Sequence, residues 1–320
     1  MVPDNPTYLK NLLSRWNIDF AGVLPGVDVP GSPDRTLRRM VIVDSEAGAF
    51  VLEEISPQSA GRKNEIAELL RVLSENGLKQ IHPFLADRSG KRITVHDGRY
   101  WQLRGYIPGT LLARPGYLDD SWRGPALAEF LIALHGASLK CAVTIQGGFF
   151  SIVRFIDDFV GKLKAHHPGL LMALSPVLHF LAADFFRIHD TFPVRLCHGD
   201  YHPLNVIWSE DAILSVIDWE FCGDKPEIYD LALLIGCLGI EDPHALTGTL
   251  VDALLRRIGE KRIYHEQSRK YLLEWVIALR FAWLSEWLRK NDGEMVRLEM
   301  DYMTLLLENR SAIESAWCRY

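Results

Sequence analysis

The chain has 320 residues, of which 48% are hydrophobic and 24% charged, with a formal net charge of −6. Apolar content this high with charge this modest excludes a disordered chain, and the length fits roughly two structural units that bury their cores without staples. The acidic balance excludes a general nucleic-acid binder, which carries a basic excess, while leaving room for a local basic site for an anionic ligand.

The opening residues, MVPDNPTYLKNLL, lack the basic segment and apolar run of a secretory signal. A first helix is predicted over Thr7–Trp16, and from there to Ile107 the chain reads mostly as short strands. Arg39–Val43 and Phe50–Ile55 are β-branched and aromatic in part and are joined by a turn-like Ser45–Gly48 stretch. Arg62–Ser74 then reads as a helix, with Ile66, Leu69, Leu70 and Leu73 at helical spacing. Strands follow over Ile81–Leu85, Ile93–His96 and Tyr100–Tyr106, the last two joined by a tight turn at Asp97-Gly98.

From Pro108 onward the pattern turns helical. Apolar residues recur at three- and four-residue intervals over Trp122–Ser138, Ile152–His166, Pro176–His189, Ile228–Leu238, His244–Arg257, Glu266–Arg289 and Glu294–Ala316. Two apolar runs, Leu170–Ala183 (broken by Ser175, Pro176 and His179) and Leu231–Ile240 (flanked by Asp230 and Glu241), fall short of the ~18 residues of a spanning helix, so no membrane partner is expected. Cys141, Cys197, Cys222, Cys237 and Cys318 are scattered and form no C-x-x-C pair, which fits a reducing cytoplasm. The expectation is an α+β, two-lobed chain with a small sheet-rich lobe over 1–106 and a larger helical lobe over 107–320. Clefts between lobes are common ligand sites.

The helical texture is interrupted at 195–220, RLCHGDYHPLNVIWSEDAILSVIDWE. Val206–Trp208 and Ile213–Ile217 read as the two strands of a hairpin, which places Asn205 just before one strand and Asp218 just after the other. Both could then offer oxygen to one hard cation. Asp200, in the same loop, is positioned to accept a proton from a substrate hydroxyl. This is the template of phosphoryl transfer, in which a loop Asp orients the nucleophile while an Asn and a second Asp hold Mg²⁺ on the nucleotide phosphates.

The stretches HGDYHPLN (198–205), IDWE (217–220), GDKPEIYDLA (223–232) and the hinge-like WQLRGYIPG (101–109) resemble the aminoglycoside phosphotransferase/choline kinase family, small-molecule kinases with a protein-kinase-like fold. The resemblance spans most of the chain, with its specific motifs in 195–232. It implies a kinase that moves the γ-phosphate of ATP, or another nucleoside triphosphate, to a small-molecule hydroxyl, with ATP and Mg²⁺ as cofactors. Asp200 would be the catalytic base, with His198 and His202 beside it; His198 is expected chiefly to brace the loop. Asn205, Asp218 and Glu220 would hold metal, Asp230 would support the loop by hydrogen bonds, and Arg104 and Tyr106 of the hinge-like segment would contact nucleotide.

The front lobe departs from the family. After Phe50-Val51-Leu52, where a phosphate-binding lysine is expected, stands Glu53. On the following helix, at 100° per residue, Arg62 lies roughly 30° and Lys63 roughly 70° from the centre of the apolar face, while Glu65 lies roughly 90° away. The expectation is therefore an inverted ion pair, Glu53 with Arg62 or Lys63, that still delivers a cation to the cleft. Arg35, Arg38 and Arg39 offer another route, and the turn Gly31–Thr36 resembles the family's phosphate-covering turn without a G-x-G-x-x-G. The alternative function is a catalytically weak, kinase-like binding or regulatory protein. On the acceptor side, Trp283, Glu286 and Trp287 share a helix side that would suit an ammonium group, whereas Arg280 would suit a carboxylate.

Overall fold

A computed structural model describes residues 5–27, 36–46, 48–141, 143 and 150–320. Five strands, β1 (Phe20–Val23), β2 (Thr36–Asp44), β3 (Gly48–Ile55), β4 (Thr94–His96) and β5 (Arg99–Gly105), form an antiparallel sheet in the order β1-β2-β3-β5-β4. Side chains alternate across a strand. One face, with Ile42, Leu52 and Leu103, buries itself against Leu9, Leu12 and Leu13 of the first helix, α1 (Pro6–Leu13). The other face carries Val51, Glu53 and Ile55 of β3 and looks toward the rest of the molecule. The turn between β4 and β5 takes positive φ at both Asp97 (48°) and Gly98 (72°), the backbone that matches strand twist in a two-residue hairpin.

The second helix, α2 (Ala60–Glu75), buries Ile66, Leu69, Leu70 and Leu73 as its spacing predicts. The strand expected over Ile81–Leu85 does not form. Pro83 has no N–H for a ladder, and the segment makes only scattered links: Leu85 N–H donates to Leu103 O (2.7 Å), and Gln80 O accepts from Val216 N–H (2.8 Å). After β5 the chain crosses onto the helical lobe, where Thr110 pairs with Trp208. The crossing needs Gly109, since a Cβ there would sit 2.5 Å from Ile207 Cγ2.

The remainder is helical: α3 (Arg123–Ser138), α4 (Ile152–His166), α5 (Pro168–Ala173), α6 (Ser175–Ala183), α7 (Phe185–Ile188), α8 (Tyr229–Glu241), α9 (Thr249–Lys261), α10 (Glu266–Lys270), α11 (Leu272–Arg289), α12 (Gly293–Glu308) and α13 (Arg310–Trp317). Two ribbons interrupt them, β6 (Val194–Cys197) with β9 (Gly223–Pro226), and β7 (Val206–Trp208) with β8 (Ile213–Val216). Four helices expected as continuous are broken, at Asp184, Gly248, Tyr271 and Asn309. Two of the breaks meet, because the Tyr271 hydroxyl donates to the Asp184 carboxylate. Helix α8 is apolar nearly all round, and it sits in the middle of the lobe against α11, as such a helix must. The fold is thus α+β and protein-kinase-like, a small sheet-rich lobe on a larger helical one. No helix among the described residues is long and apolar enough to cross a membrane.

Candidate active site

The β7–β8 ribbon brings the two outer positions of its sequence together. Ile217 N–H donates to Asn205 O (2.9 Å), so Asn205 and Asp218 sit side by side at its open end. Asp218 holds φ at +62°, a left-handed conformation uncommon outside glycine. Strain of this kind persists where surrounding structure imposes it, and it gathers at functional sites. Partial desolvation in the cleft, followed by the carboxylates of Asp200 and Glu220, pushes the Asp218 pKa up; Lys63 and Arg39 partly offset this. A carboxylate held among like charges is set up to take a cation.

The loop from His198 to Asn205 is anchored from beneath. Asp230, at the start of α8, accepts from the backbone N–H of His198 (2.7 Å) and of Gly199 (2.8 Å). Gly199 has φ +83°, and a Cβ there would lie 2.1 Å from Phe221 O, so no other residue fits. Tyr201 is fully buried and donates to Leu127 O (3.2 Å).

His198 is 0% exposed and both its ring nitrogens are engaged: Nε2–H donates to Ile217 O (3.0 Å), and Nδ1 accepts from Asp200 N–H (3.2 Å). That pairing assigns the neutral Nε2–H tautomer. The ring braces the loop and has no atom left for a substrate, which corrects its inclusion among the reacting groups. Burial, against the opposing pull of Asp200, holds its pKa down to about 4. The unfolded chain takes this proton near the ordinary value of about 6.5, so His198 taken alone lowers stability as pH falls from there toward 4. Asp230, pushed up to about 6 mainly by burial, works in the opposite sense over the lower part of that range. The clean readout is therefore the ring itself. Long-range ¹H–¹⁵N NMR is expected to show His198 neutral and untitrated from pH 8 to pH 5. A midpoint near 6.5 would remove the brace.

Asp200 faces the cleft. Its Oδ2 accepts from Asn205 Nδ2 (2.9 Å), which also reaches Asp200 O (2.9 Å) and so turns the amide oxygen of Asn205 away, where it can meet a cation. His202 Nε2 lies 3.6 Å from Asp200 Oδ2, within ion-pair range and just beyond an ordinary hydrogen bond. Burial pushes the Asp200 carboxyl up, but His202, His198 and the Asn205 amide outweigh it and hold it below its ordinary value. It is ionised at neutral pH and can accept a proton.

In the front lobe the expected pairing of Glu53 with Arg62 or Lys63 is not what forms. Register decides this: Glu53 stands opposite Arg39 on β2 and opposite Gln102 on β5, so all three share one face. Arg39 Nε lies 2.8 Å and Arg104 Nη2 3.6 Å from Glu53 Oε1, while Gln102 Nε2 donates to Oε2. Glu53 is 1% exposed. Its pKa is raised by burial but lowered more by Arg104, Arg39, Lys63 and Gln102, and the net direction is down.

Lys63 is more deeply buried than Arg62, the reverse of the order expected from the helical wheel. Its Nζ binds the Glu220 carboxylate, within electrostatic range of Asp218 and Glu53. Arg62 instead clasps the backbone carbonyls of Glu220 (3.2 Å) and Cys222 and pairs with Glu65 (3.7 Å), tying α2 to the segment after Asp218. Tyr106 directly follows β5 and spends its backbone N–H on Ala49 O (2.9 Å). Arg35 and the turn at 31–35 lie outside the described residues.

On the far side of Asp200, His202 meets the edge of Trp283 (6.4 Å between ring centroids), which stacks on Trp287 (6.1 Å). Glu286 is taken by Arg289 (2.7 Å) and Lys290 (3.2 Å) on the surface. Arg280 is 3% exposed and bound through two nitrogens to Glu299, itself 1% exposed. Neither charged group anticipated for the acceptor is therefore presented to it. The contacts of Gln102 with Glu53 and of Glu299 with Arg280 are not anticipated from the sequence; the first follows from strand register, the second from no local signal.

Among the described residues no three His, Cys, Asp or Glu side chains already converge as a metal site. The donors that a hard cation would use, the Asn205 amide oxygen and the carboxylates of Asp218 and Glu220, are all oxygens, which fits magnesium.

The sequence model of the phosphotransferase enzyme family matches residues 32–269. A homoserine kinase of Rhodopseudomonas palustris is 24% identical over 312 residues, covering 93% of this chain and 90% of that protein. Among solved structures, an aminoglycoside phosphotransferase from Alicyclobacillus acidocaldarius superposes with a TM-score of 0.67 at 15% identity, over 100% of this chain and 96% of the other. An amicoumacin kinase bound to AMP-PNP and Ca²⁺ gives 0.67 at 14% identity, over 96% and 94%.

Proposed function

Because the chain belongs to the phosphotransferase enzyme family, we propose that it is an ATP- and Mg²⁺-dependent kinase that phosphorylates a hydroxyl of a small molecule, with Asp200 as catalytic base. The observation that carries this reading is the grouping of an ionised Asp200 with Asn205 and Asp218 at one end of a rigid ribbon. Residues 1–106 form the nucleotide lobe in this account and 107–320 the catalytic and acceptor lobe.

The roles divide as follows. Asp200 accepts the acceptor's proton and aims its oxygen, and His202 lies beside that oxygen. The Asn205 amide oxygen and the Asp218 and Glu220 carboxylates hold Mg²⁺, which when bound neutralises charge on the transferring phosphates. Lys63, Arg39 and Arg104 supply cationic charge from the front lobe in place of the missing strand lysine, and Arg62 keeps α2 against the cleft. Tyr106 lies where the chain passes between lobes, beside the nucleotide base. Phosphoryl transfer of this kind rests on positioning and electrostatics, which is what these groups provide.

For the acceptor, the named relatives put homoserine first among compounds to test. Arg280 is already neutralised by Glu299, so a carboxylate would have to be met by another group. The half-buried Trp283 beside His202 offers an apolar wall to whatever carries the hydroxyl. The second reading, a weak kinase-like binding protein, draws on Glu53 alone, and the buried Lys63 weighs against it.

Asp218→Ala and Asn205→Ala are expected to weaken Mg²⁺-dependent ATP binding, the carboxylate loss more than the amide loss because a charge goes with it. Calorimetric titration of ATP with and without Mg²⁺ reads this directly. Unchanged Mg²⁺ dependence in both variants would take the metal away from the ribbon.

A further inference from the structure

The pair between Lys63 and Glu220 has no counterpart in the expected arrangement. Lys63 is buried, at 5% side-chain exposure, and Glu220 nearly so, at 9%, and they lie 157 residues apart in sequence. A desolvated ion pair cannot open without leaving two uncompensated charges, each costly. Yet each partner has a use that the pair prevents: Glu220 lies two residues beyond Asp218, and Lys63 lies on the cleft side of α2, within electrostatic range of Asp218. Arg62 holds the base of α2 against the carbonyls of Glu220 and Cys222, so Lys63 cannot retreat with its helix.

Resting on the kinase reading, we propose that the Lys63–Glu220 pair is a closed latch that metal and nucleotide open together by partner exchange. Glu220 passes from the Lys63 ammonium to the divalent cation, and Lys63 passes from Glu220 to the nucleotide phosphates. After the exchange every buried charge again has an opposite neighbour. Neither ligand alone achieves this: the metal alone strands Lys63, and ATP alone strands Glu220. Metal and nucleotide must therefore bind with positive coupling, and by linkage each strengthens the other by the same factor. Lys63 then makes nucleotide-free metal a poor ligand, and Glu220 makes metal-free ATP one.

The test separates the two partners. Lys63→Met removes the competitor for Glu220, so Mn²⁺ binding without nucleotide, followed by electron paramagnetic resonance, is expected to tighten several-fold. The same variant loses the phosphate partner, so MgATP affinity by calorimetry is expected to fall tenfold or more. Glu220→Gln releases Lys63 from the other side: ATP binding in EDTA should tighten while Mn²⁺ binding weakens. Opposite signs for metal and nucleotide in both variants support the latch. Should Lys63→Met leave nucleotide-free Mn²⁺ affinity unchanged or weaker, or Glu220→Gln weaken metal-free ATP binding, the exchange does not occur. Lys63→Arg, which keeps the charge and the fold, should stay close to wild type; a rise in Mn²⁺ affinity and a fall in MgATP affinity there as large as in Lys63→Met would mean packing rather than charge is responsible. If wild type binds no MgATP at all, the kinase reading itself falls.

Discussion

Asp200→Asn should lower kcat by about 10²- to 10⁴-fold, the usual contribution of a positioned general base, while MgATP affinity stays nearly unchanged. The asparagine can keep the contact that orders the loop, because its amide oxygen can still accept from Asn205 Nδ2 as the carboxylate does at 2.9 Å. What it loses is basicity. Asp200 is ionised because His202, His198 and Asn205 overcome its burial, and only the ionised form accepts the acceptor's proton. The expected signature is a fall in kcat with little change in nucleotide dissociation constant, measured by steady-state kinetics and calorimetry side by side. A variant within about tenfold of wild-type kcat would mean that proton transfer is carried elsewhere.

The second large effect is on stability. Glu53→Ala should destabilise the fold by about 3–5 kcal/mol, the range for removing one partner of a buried ion pair. Glu53 is 1% exposed, and its departure takes the shared carboxylate from Arg39 and Arg104 at once. Urea unfolding reads the change. Glu53→Gln should cost less, since Gln102 keeps a partner. The pH dependence has a definite sign: the folded pKa of Glu53 lies below its ordinary value, so its contribution is present above that value and is lost as pH falls through the folded pKa. The gap between wild type and Glu53→Gln should therefore close in acid. A gap independent of pH, or a loss below about 1 kcal/mol for Glu53→Ala, would mean that the pairing contributes no more than an exposed ion pair does.

How much of this was legible in the chain depends on how local each contact is. Asp200, Asn205 and Asp218 sit within nineteen residues of one another, and the apolar runs between them describe the ribbon that unites them. Periodicity also located the helical stretches, because a buried face repeats along one element. It did not locate their breaks, since Asp184 and Tyr271 stop their helices where the two meet through a hydrogen bond 87 residues apart in sequence. The partners of Glu53 were half visible. Counting back along both strands from the turn places Arg39 opposite Glu53, but Gln102 and Arg104 also require the pairing of β3 with β5, which no turn announces. Lys63 with Glu220, and Arg280 with Glu299, depend on how elements dock. A helical wheel gives the direction of a side chain and not what lies beyond it: it sets Arg62 nearer the apolar face than Lys63 without showing that Lys63 meets Glu220, and it cannot show that Arg280 is bound by Glu299.

The central claim is that this arrangement transfers a phosphoryl group from ATP to a small-molecule hydroxyl. The most direct measurement is ³¹P NMR of the protein with ATP, Mg²⁺ and a panel of hydroxyl compounds that begins with homoserine and extends through amino alcohols, sugars and aminoglycosides. The account predicts that ADP and a new phosphomonoester signal appear together with at least one acceptor, and that the Asp200→Asn variant loses the signal. MgATP binding without a phosphomonoester from any acceptor class, or a signal undiminished in the variant, would contradict it.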